Sequence, residues 1–411
     1  MPYLRIPISQ NQFPSMRKLL YSLVVLLIIH VNVKAQDNAA PSGIIFQDLT
    51  YEQAIAKSKA ENKPVFLHGF AAWCHYCEYM KDSIYPDAEV GKFYNAHFIC
   101  IKLDMEKEGK DLNKRLKITS FPTYVWFDGS GDMIHRVGGR RYKADFLKIG
   151  AEAIDSTKQF RTFDKKFKAG LMSPDEAGNY FRMIAQGSMD NQETINGYLL
   201  GIPDDKFTDA PYWKIINDYF RDVNQPAMGR VLARRKDFAA KYGADSVDNR
   251  ILNNYNSALM QKVQRLDSIG YDALIAKIKS SKIDLADKIA AYADMNKMKM
   301  KSKWTEYLAA APAFIDTYCK DDHRRLNEVA FVFYERTSDT LLLKKAEDWA
   351  KEAVKLNDNY KYNHTLASLA YRLGDKDLAL KTGNHALELA NATAQDAKTT
   401  KLLLEKVNEL K

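Results

Sequence analysis

Two spacings of apolar positions divide the chain. Between residue 43 and about residue 160, short apolar runs alternate with helical segments; from Arg161 onward strand signals almost vanish. Ile44-Ile45-Phe46 opens as a strand. Thr50 is placed to cap a helix over 51–62, with Ala54, Ile55 and Ser58 on one face. Val65, Phe66 and Leu67, behind Pro64, form the continuous run of a buried parallel strand. A helix follows from Cys77 to about Ile84 and stops at Tyr85-Pro86. A short helix at 87–96, a strand at 98–104 and a helix at 107–117 come next. Tyr124 to Phe127, the turn Asp128-Gly129-Ser130-Gly131 and the returning strand 133–137 form a hairpin. An amphipathic helix from Tyr142 to about Phe160 closes the unit. The order β-α-β-α-β-α-β-β-α predicts a mixed central sheet flanked by helices, an α/β fold, over 43–155.

The rest predicts an all-α region. Tyr180, Ile184, Ile195, Tyr198 and Leu199 recur at helical spacing, and Pro174 and Pro203 mark helix starts or breaks. Tyr212, Trp213, Tyr219 and Phe220 read as a core stripe rather than a ligand box. Near the end, Ala346, Trp349-Ala350 and Ala353 recur as Ala379, Gly383 and Ala386, with 33 residues between equivalent alanines. With Tyr371 and Gly374, this spacing resembles tetratricopeptide repeats, whose period is about 34 residues. The expected division is an all-helical region at 161–324, then tetratricopeptide-like repeats over 325–411, with a capping helix from Thr399 to Lys411. The usual Pro after the second repeat helix is missing; Asn357 or Asp358 stands in its vicinity. Such solenoids bind proteins more often than small molecules, so the helical part is expected to present a client or partner, or to serve packing or dimerisation.

Charge and the N-terminus narrow the functional classes. The 411 residues carry a formal net charge of +9. Arg5, Arg17, Lys18 and Lys34 lie in the acid-free first 35 residues, which leaves 57 basic against 52 acidic residues, or +5. That excess, without an aromatic-rich basic cluster, excludes nucleic acid as an expected partner. Arg17-Lys18, the apolar run Leu19 to Ile29 and Val33-Lys34-Ala35 have the layout of a signal peptide over 1–35, cleaved before Gln36. The run is shorter than the ~20 residues of a spanning helix, so no stable membrane span is expected after cleavage. An uncleaved N-terminal anchor is the alternative, and Met16 offers a second start. The expected compartment is outside the cytosol and periplasmic.

The four cysteines are Cys74, Cys77, Cys100 and Cys319. So few in a long exported chain argue against a disulfide scaffold and leave one close pair. That pair falls at the first turn of a helix, where partial positive charge and free N–H groups stabilise a thiolate. A second thiol nearby resolves a mixed disulfide formed by the first. Zinc would need four ligands; His75 lies between the two cysteines and Cys100 is on another strand. Cys100 reads as a small core hydrophobe and Cys319 as a semi-buried free thiol. A bridge between these two is not expected.

Three segments at these separations resemble the thioredoxin superfamily over residues 43–155. They are Trp73-Cys74-His75-Tyr76-Cys77, Ile118-Thr119-Ser120-Phe121-Pro122-Thr123, and Gly138 after the hairpin. The resemblance implies an exposed attacking Cys74 and a partly buried resolving Cys77. It implies a cis Pro122 facing the pair, which presents backbone to an incoming peptide and keeps metal ions away. Trp73 would pack beside the disulfide and limit access. Where the family often has a buried Asp, six residues before the first Cys, this chain has His68; the matching Lys is kept as Lys102. His68 would then tune proton transfer from Cys77, its charge changing near working pH, or be a core His bonded to backbone. His75-Tyr76 replaces the Gly-Pro of reducing thioredoxins, and a cation beside Cys74 would make the disulfide more oxidising. The expectation is an exported thiol–disulfide oxidoreductase of the protein-disulfide reductase or isomerase type, with a slight lean to reductase. It would need no metal or organic cofactor beyond the redox-active Cys74–Cys77 disulfide. Its partners would be polypeptides with cysteines or disulfides and an upstream redox partner. The alternative is a non-enzymatic envelope adaptor whose thioredoxin-like domain is structural.

Overall fold

The computed structural model describes residues 42–392 and 397–410; the expected signal peptide lies outside the described residues. The described chain forms two units. One runs to Leu171 and includes Gln186–Met189; the other comprises Met172–Ala185 and the residues from Asp190 onward.

The first unit is built on a four-stranded sheet: β1 (Val65–Phe70), β2 (Ile99–Asp104), β3 (Thr123–Phe127) and β4 (Met133–Gly138), in the order β2-β1-β3-β4. β1 runs parallel to β2 and antiparallel to β3, and β3 and β4 form the expected hairpin. Alternation along the strands sorts the core into two layers. Phe66, Cys100, Tyr124 and Trp126 pack on one face with Met80, Ile84 and Phe146. Val65, Leu67, Ile99, Ile101, Val125 and Phe127 pack on the other with Ala54 and Leu112. Helices α1 (Tyr51–Glu61), α2 (His75–Tyr79), α3 (Ala88–His97), α4 (Lys110–Leu116) and α5 (Lys143–Ile154) complete the thioredoxin-like arrangement. α1 begins with a capping box: Gln53 N–H donates to Thr50 Oγ1 at 3.2 Å, and Thr50 N–H donates to Gln53 Oε1 at 2.9 Å.

Three elements differ from the sequence reading. Residues 44–46 are extended but are not a sheet strand. Gln47 N–H reaches Cys100 O at 2.8 Å, whereas Ile44 N–H donates to Tyr85 O at 2.8 Å and Ile45 N–H to the Asn95 side chain at 2.9 Å. The segment is thus pulled off the sheet edge toward the end of the cysteine helix. The expected single helix over 77–84 is a short α-helix continued by a π-turn, Met80–Ile84, a feature frequent at functional sites. The expected helix over 142–160 ends at Ile154, and a separate α6 (Phe160–Lys168) stays with this unit. Phe160 N–H donates to His135 Nδ1 at 3.2 Å and Arg161 pairs with Asp128, so the unit continues past the expected boundary at residue 155.

The second unit is all-helical and contains α7 (Pro174–Gln186), α8 (Gln192–Leu200), α9 (Ala210–Tyr219), α10 (Pro226–Ala233), α11 (Arg235–Tyr242), α12 (Ala244–Gln264) and α13 (Ser268–Ser280). It continues through α14 (Ala286–Met300), α15 (Trp304–Tyr318), α16 (His323–Arg336), α17 (Thr340–Leu356), α18 (Tyr360–Leu373), α19 (Lys376–Ala392) and α20 (Lys398–Asn408). Within the aromatic stripe Trp213 and Phe220 are buried, and Trp213 stacks on Tyr242 at 5.4 Å. Ala346, Ala350 and Ala353 in α17, and Ala379, Gly383 and Ala386 in α19, are buried; small residues there let helices approach closely. Spacing and burial are the extent of the repeat pattern.

Candidate active site

The site forms where β1 ends. After Phe70 the chain turns, and Cys74 becomes the N-cap of α2. Its Sγ accepts from Cys77 N–H at 3.1 Å. Cys74 and Cys77 are joined in a disulfide, with S–S 2.14 Å and Cα–Cα 5.2 Å. Ala71, Phe70 and Phe121 pack against the pair. Phe121 thereby brings the Phe121–Pro122 bond, which is cis, to the disulfide. Beside it Gly139 N–H donates to Pro122 O at 2.7 Å, and Thr123 Oγ1 donates to Ser120 O at 2.7 Å.

The expected exposed Cys74 is not found in this oxidised form. Cys74 and Cys77 are each 5% exposed, because the N-cap sulfur turns inward onto Cys77 N–H and is covered by the Phe70–Phe121 cluster. The exposed groups are their neighbours, Trp73 at 69% and Tyr76 at 55%. Trp73 packs edge-on to Phe121 at 5.8 Å and donates from Nε1 to Glu106 Oε2 at 3.0 Å. His75 is exposed, with Nδ1 3.9 Å from Glu78 Oε2. Arg140 lies over the rings of Tyr79, Tyr142 and Tyr76 at 4.9, 5.0 and 5.9 Å.

Strand register explains the placement of His68 and Lys102. They are cross-strand partners on β1 and β2, on the sheet face that carries α2. His68 is 4% exposed and ringed by Phe46, Phe70, Tyr85 and Tyr124. Its Nε2 has no hydrogen-bond partner. Burial first, and then the Lys102 charge, push its pKa down to about 3. His68 is therefore neutral throughout the ordinary working range, which corrects the expectation that its charge changes there.

An open cavity of about 510 Å³ lies against the disulfide. Ile44, Phe46, Phe70 and Tyr85 give it apolar walls; His68, Lys81, Lys102 and Glu78 line it too, and both Cys74 and Cys77 border it. Trp73, Tyr76, Phe121 and Pro122 are not part of its lining. The Phe121-Pro122 segment stands at the pair as the sequence implies; sequence reasoning missed Glu106 as the partner of Trp73, and Ser188. Ser188 O accepts from Thr119 Oγ1 at 3.3 Å, and its Oγ lies 2.9 Å from Ser120 Oγ. Position beside Pro122 marks Phe121 in the sequence; nothing local marks Ser188. The remaining cysteines, Cys100 and Cys319, are free and buried, and burial pushes each thiol up to about 12. Among the described residues no cluster of three or more His, Cys, Asp or Glu is arranged to hold a metal ion.

Residues 47–120 match a family model for thioredoxin-like DsbH domains, described as a protein of unknown function, DUF255. The chain is similar to Spermatogenesis-associated protein 20 of Mus musculus, 38% identical over 80 residues, 20% of this chain and 9% of that protein. It is similar to the thiol:disulfide interchange protein DsbD of Ralstonia nicotianae, 27% identical over 139 residues, 32% of this chain and 22% of that protein. Among solved structures, a Bacteroides thetaiotaomicron protein with a provisional disulphide-isomerase designation is 30% identical; the match covers 28% of this chain and 96% of that one, with a TM-score of 0.27. The chain spans less than a quarter of the length of these two curated relatives.

Proposed function

We propose that this protein is an exported thiol–disulfide oxidoreductase that reduces disulfides in other polypeptides, a reading supported by the match of residues 47–120 to a thioredoxin-like DsbH family model and by the disulfide closed within them. The observation that carries this reading is the placement of the pair: Cys74 Sγ lies 3.1 Å from Cys77 N–H at the start of α2, beside the cis Phe121–Pro122 loop. A backbone N–H aimed at a sulfur favours its anionic form. In the reduced enzyme the Cys74 thiolate attacks one sulfur of a client disulfide and the other client sulfur leaves as a thiolate. Cys77 then attacks Cys74 Sγ of the mixed disulfide, closing the pair and releasing the second client thiol. A client segment would lie along the Ser120-Phe121-Pro122 loop, with Trp73 and Tyr76 beside it. His68 is a weak base, since burial holds its imidazole neutral; its part here is to keep the site's floor uncharged.

The reductive direction is supported by Glu78, whose carboxylate lies beside His75 and places a negative charge near the pair. Export is supported by the basic and apolar run of residues 17–35, and a periplasmic site by the likeness to a bacterial thiol:disulfide interchange protein. Among the described residues no helix is long and apolar enough to cross a membrane. The helical unit would present clients.

The test is insulin reduction with a dithiol donor. Wild type accelerates it, Cys74→Ser abolishes the acceleration, and Cys77→Ser accumulates covalent adducts with client polypeptides that a reductant releases. A wild type no faster than Cys74→Ser would overturn the reading and leave a non-enzymatic adaptor.

A further inference from the structure

We propose that the cavity beside the disulfide is the entry site of the electron donor, and that this donor is a low-molecular-weight thiol bearing a carboxylate. The inference rests on the redox reading above only in requiring that the Cys74–Cys77 pair exchange; the site itself is argued from the cavity.

The cis Phe121–Pro122 loop and the exposed Trp73 and Tyr76 offer an open surface suited to a polypeptide. The cavity of about 510 Å³ also borders both half-cystines, and none of those residues lines it. That volume falls in the range of small-molecule sites, roughly 300–1,000 Å³. It exists because residues 42–46 leave the sheet edge: Ser42, Ile44 and Phe46 form one wall, while Phe70, Tyr85 and the start of α2 form the others. The walls suit an apolar body. The charges are Lys81 and Lys102 against Glu78, and Lys102 Nζ stands 5.9 Å from the Phe46 ring centroid. His68 is neutral at the floor, so the lining carries a net charge of +1, from two lysines and one glutamate. A positive, apolar-walled cavity against a disulfide fits a small anionic molecule whose own sulfur reaches the pair.

The chemistry balances with two equivalents of the donor. One donor thiolate attacks a sulfur of the Cys74–Cys77 disulfide; that bond breaks, and the other cysteine leaves as a thiolate. A second donor thiolate attacks the donor sulfur of the mixed disulfide, releasing the oxidised donor dimer and the second cysteine thiolate. Two electrons pass from the donors to the pair, and solvent supplies the protons.

The experiment reduces the oxidised full-length protein with mercaptoacetate, 2-mercaptoethanol and cysteamine, and compares rates at equal thiolate concentration by mass-resolved alkylation. Mercaptoacetate should react about tenfold faster than cysteamine, the effect of one or two partly screened charge contacts, and its rate should saturate with concentration. Lys81→Glu combined with Lys102→Glu should reverse the order, and Ile44→Trp, which fills the cavity, should remove the mercaptoacetate advantage. Equal unsaturated rates for all three thiols would overturn the proposal while leaving the redox reading standing. A disulfide that none of the three opens would overturn both.

Discussion

His68 gives the folded state a specific acid sensitivity. Its imidazole is buried, and its pKa falls from 6.5 to about 3 on folding. The unfolded chain therefore takes up a proton as pH drops through 6.5, and the folded chain does not until about pH 3. The stability involved is present in full above the unfolded pKa and is lost progressively as pH falls toward the folded one. At 1.36 kcal/mol per pKa unit the full loss is about 5 kcal/mol, of which about 2 kcal/mol is gone by pH 5. His68→Leu removes the proton site, fills the same apolar surroundings and should be close to neutral at pH 7.5. Hydrogen exchange of peptides covering β1 and β3, corrected for intrinsic rates, reads the stability of this unit. Between pH 7.5 and pH 5 wild type should lose about 2 kcal/mol more than His68→Leu. Parallel profiles, within about 0.5 kcal/mol, would show that His68 is protonated at little cost in the folded state, and the burial argument would fail.

Other consequences are direct. Oxidised native protein should show no thiol reactive toward a neutral-pH alkylating agent, because Cys100 and Cys319 are buried with thiols near 12; mild reduction should expose two, Cys74 and Cys77, by peptide mapping. Gly91→Ala should cost about 3 kcal/mol in denaturant unfolding, since a Cβ there would sit 2.2 Å from the Gly43 carbonyl carbon and force main chain apart. A fragment ending at Gln159 should be less stable by about 1–3 kcal/mol than one ending at Leu171, measured by urea unfolding, because it loses the Phe160–His135 hydrogen bond and the Arg161–Asp128 pair.

The parts of this fold that were legible in the sequence are those set by short-range pattern. The apolar run at Val65 to Leu67, the Thr50–Gln53 cap and the glycine turn before Met133 each specify an element by local chemistry. The Cys pair at a helix start was legible for the same reason. What escaped depends on distant partners. Ile44-Ile45-Phe46 has strand composition, yet its amides go to Tyr85 O and Asn95 Oδ1, and the choice rests on where α3 lies. The π-turn at Met80–Ile84 has no composition cue. Ser188 meets Ser120 across 68 residues of chain. The inward turn of Cys74 follows from its capping role, which the sequence allows without requiring.

The same long-range placement gives meaning to the unusual residue at position 68. An ionised carboxylate there would stand on the α2 face of the sheet, opposite Lys102 in the register. It would cancel one of the two lysines lining the cavity and repel any thiolate approaching the pair from that side. A histidine in water would add a positive charge below pH 6.5 and make the field depend on pH. Enclosed by Phe46, Phe70, Tyr85 and Tyr124 and set across from a lysine, it does neither. The cavity thus keeps the excess of its two lysines, Lys81 and Lys102, over Glu78, with an uncharged imidazole at position 68. By remaining uncharged, position 68 leaves intact the single positive charge that an incoming sulfur meets.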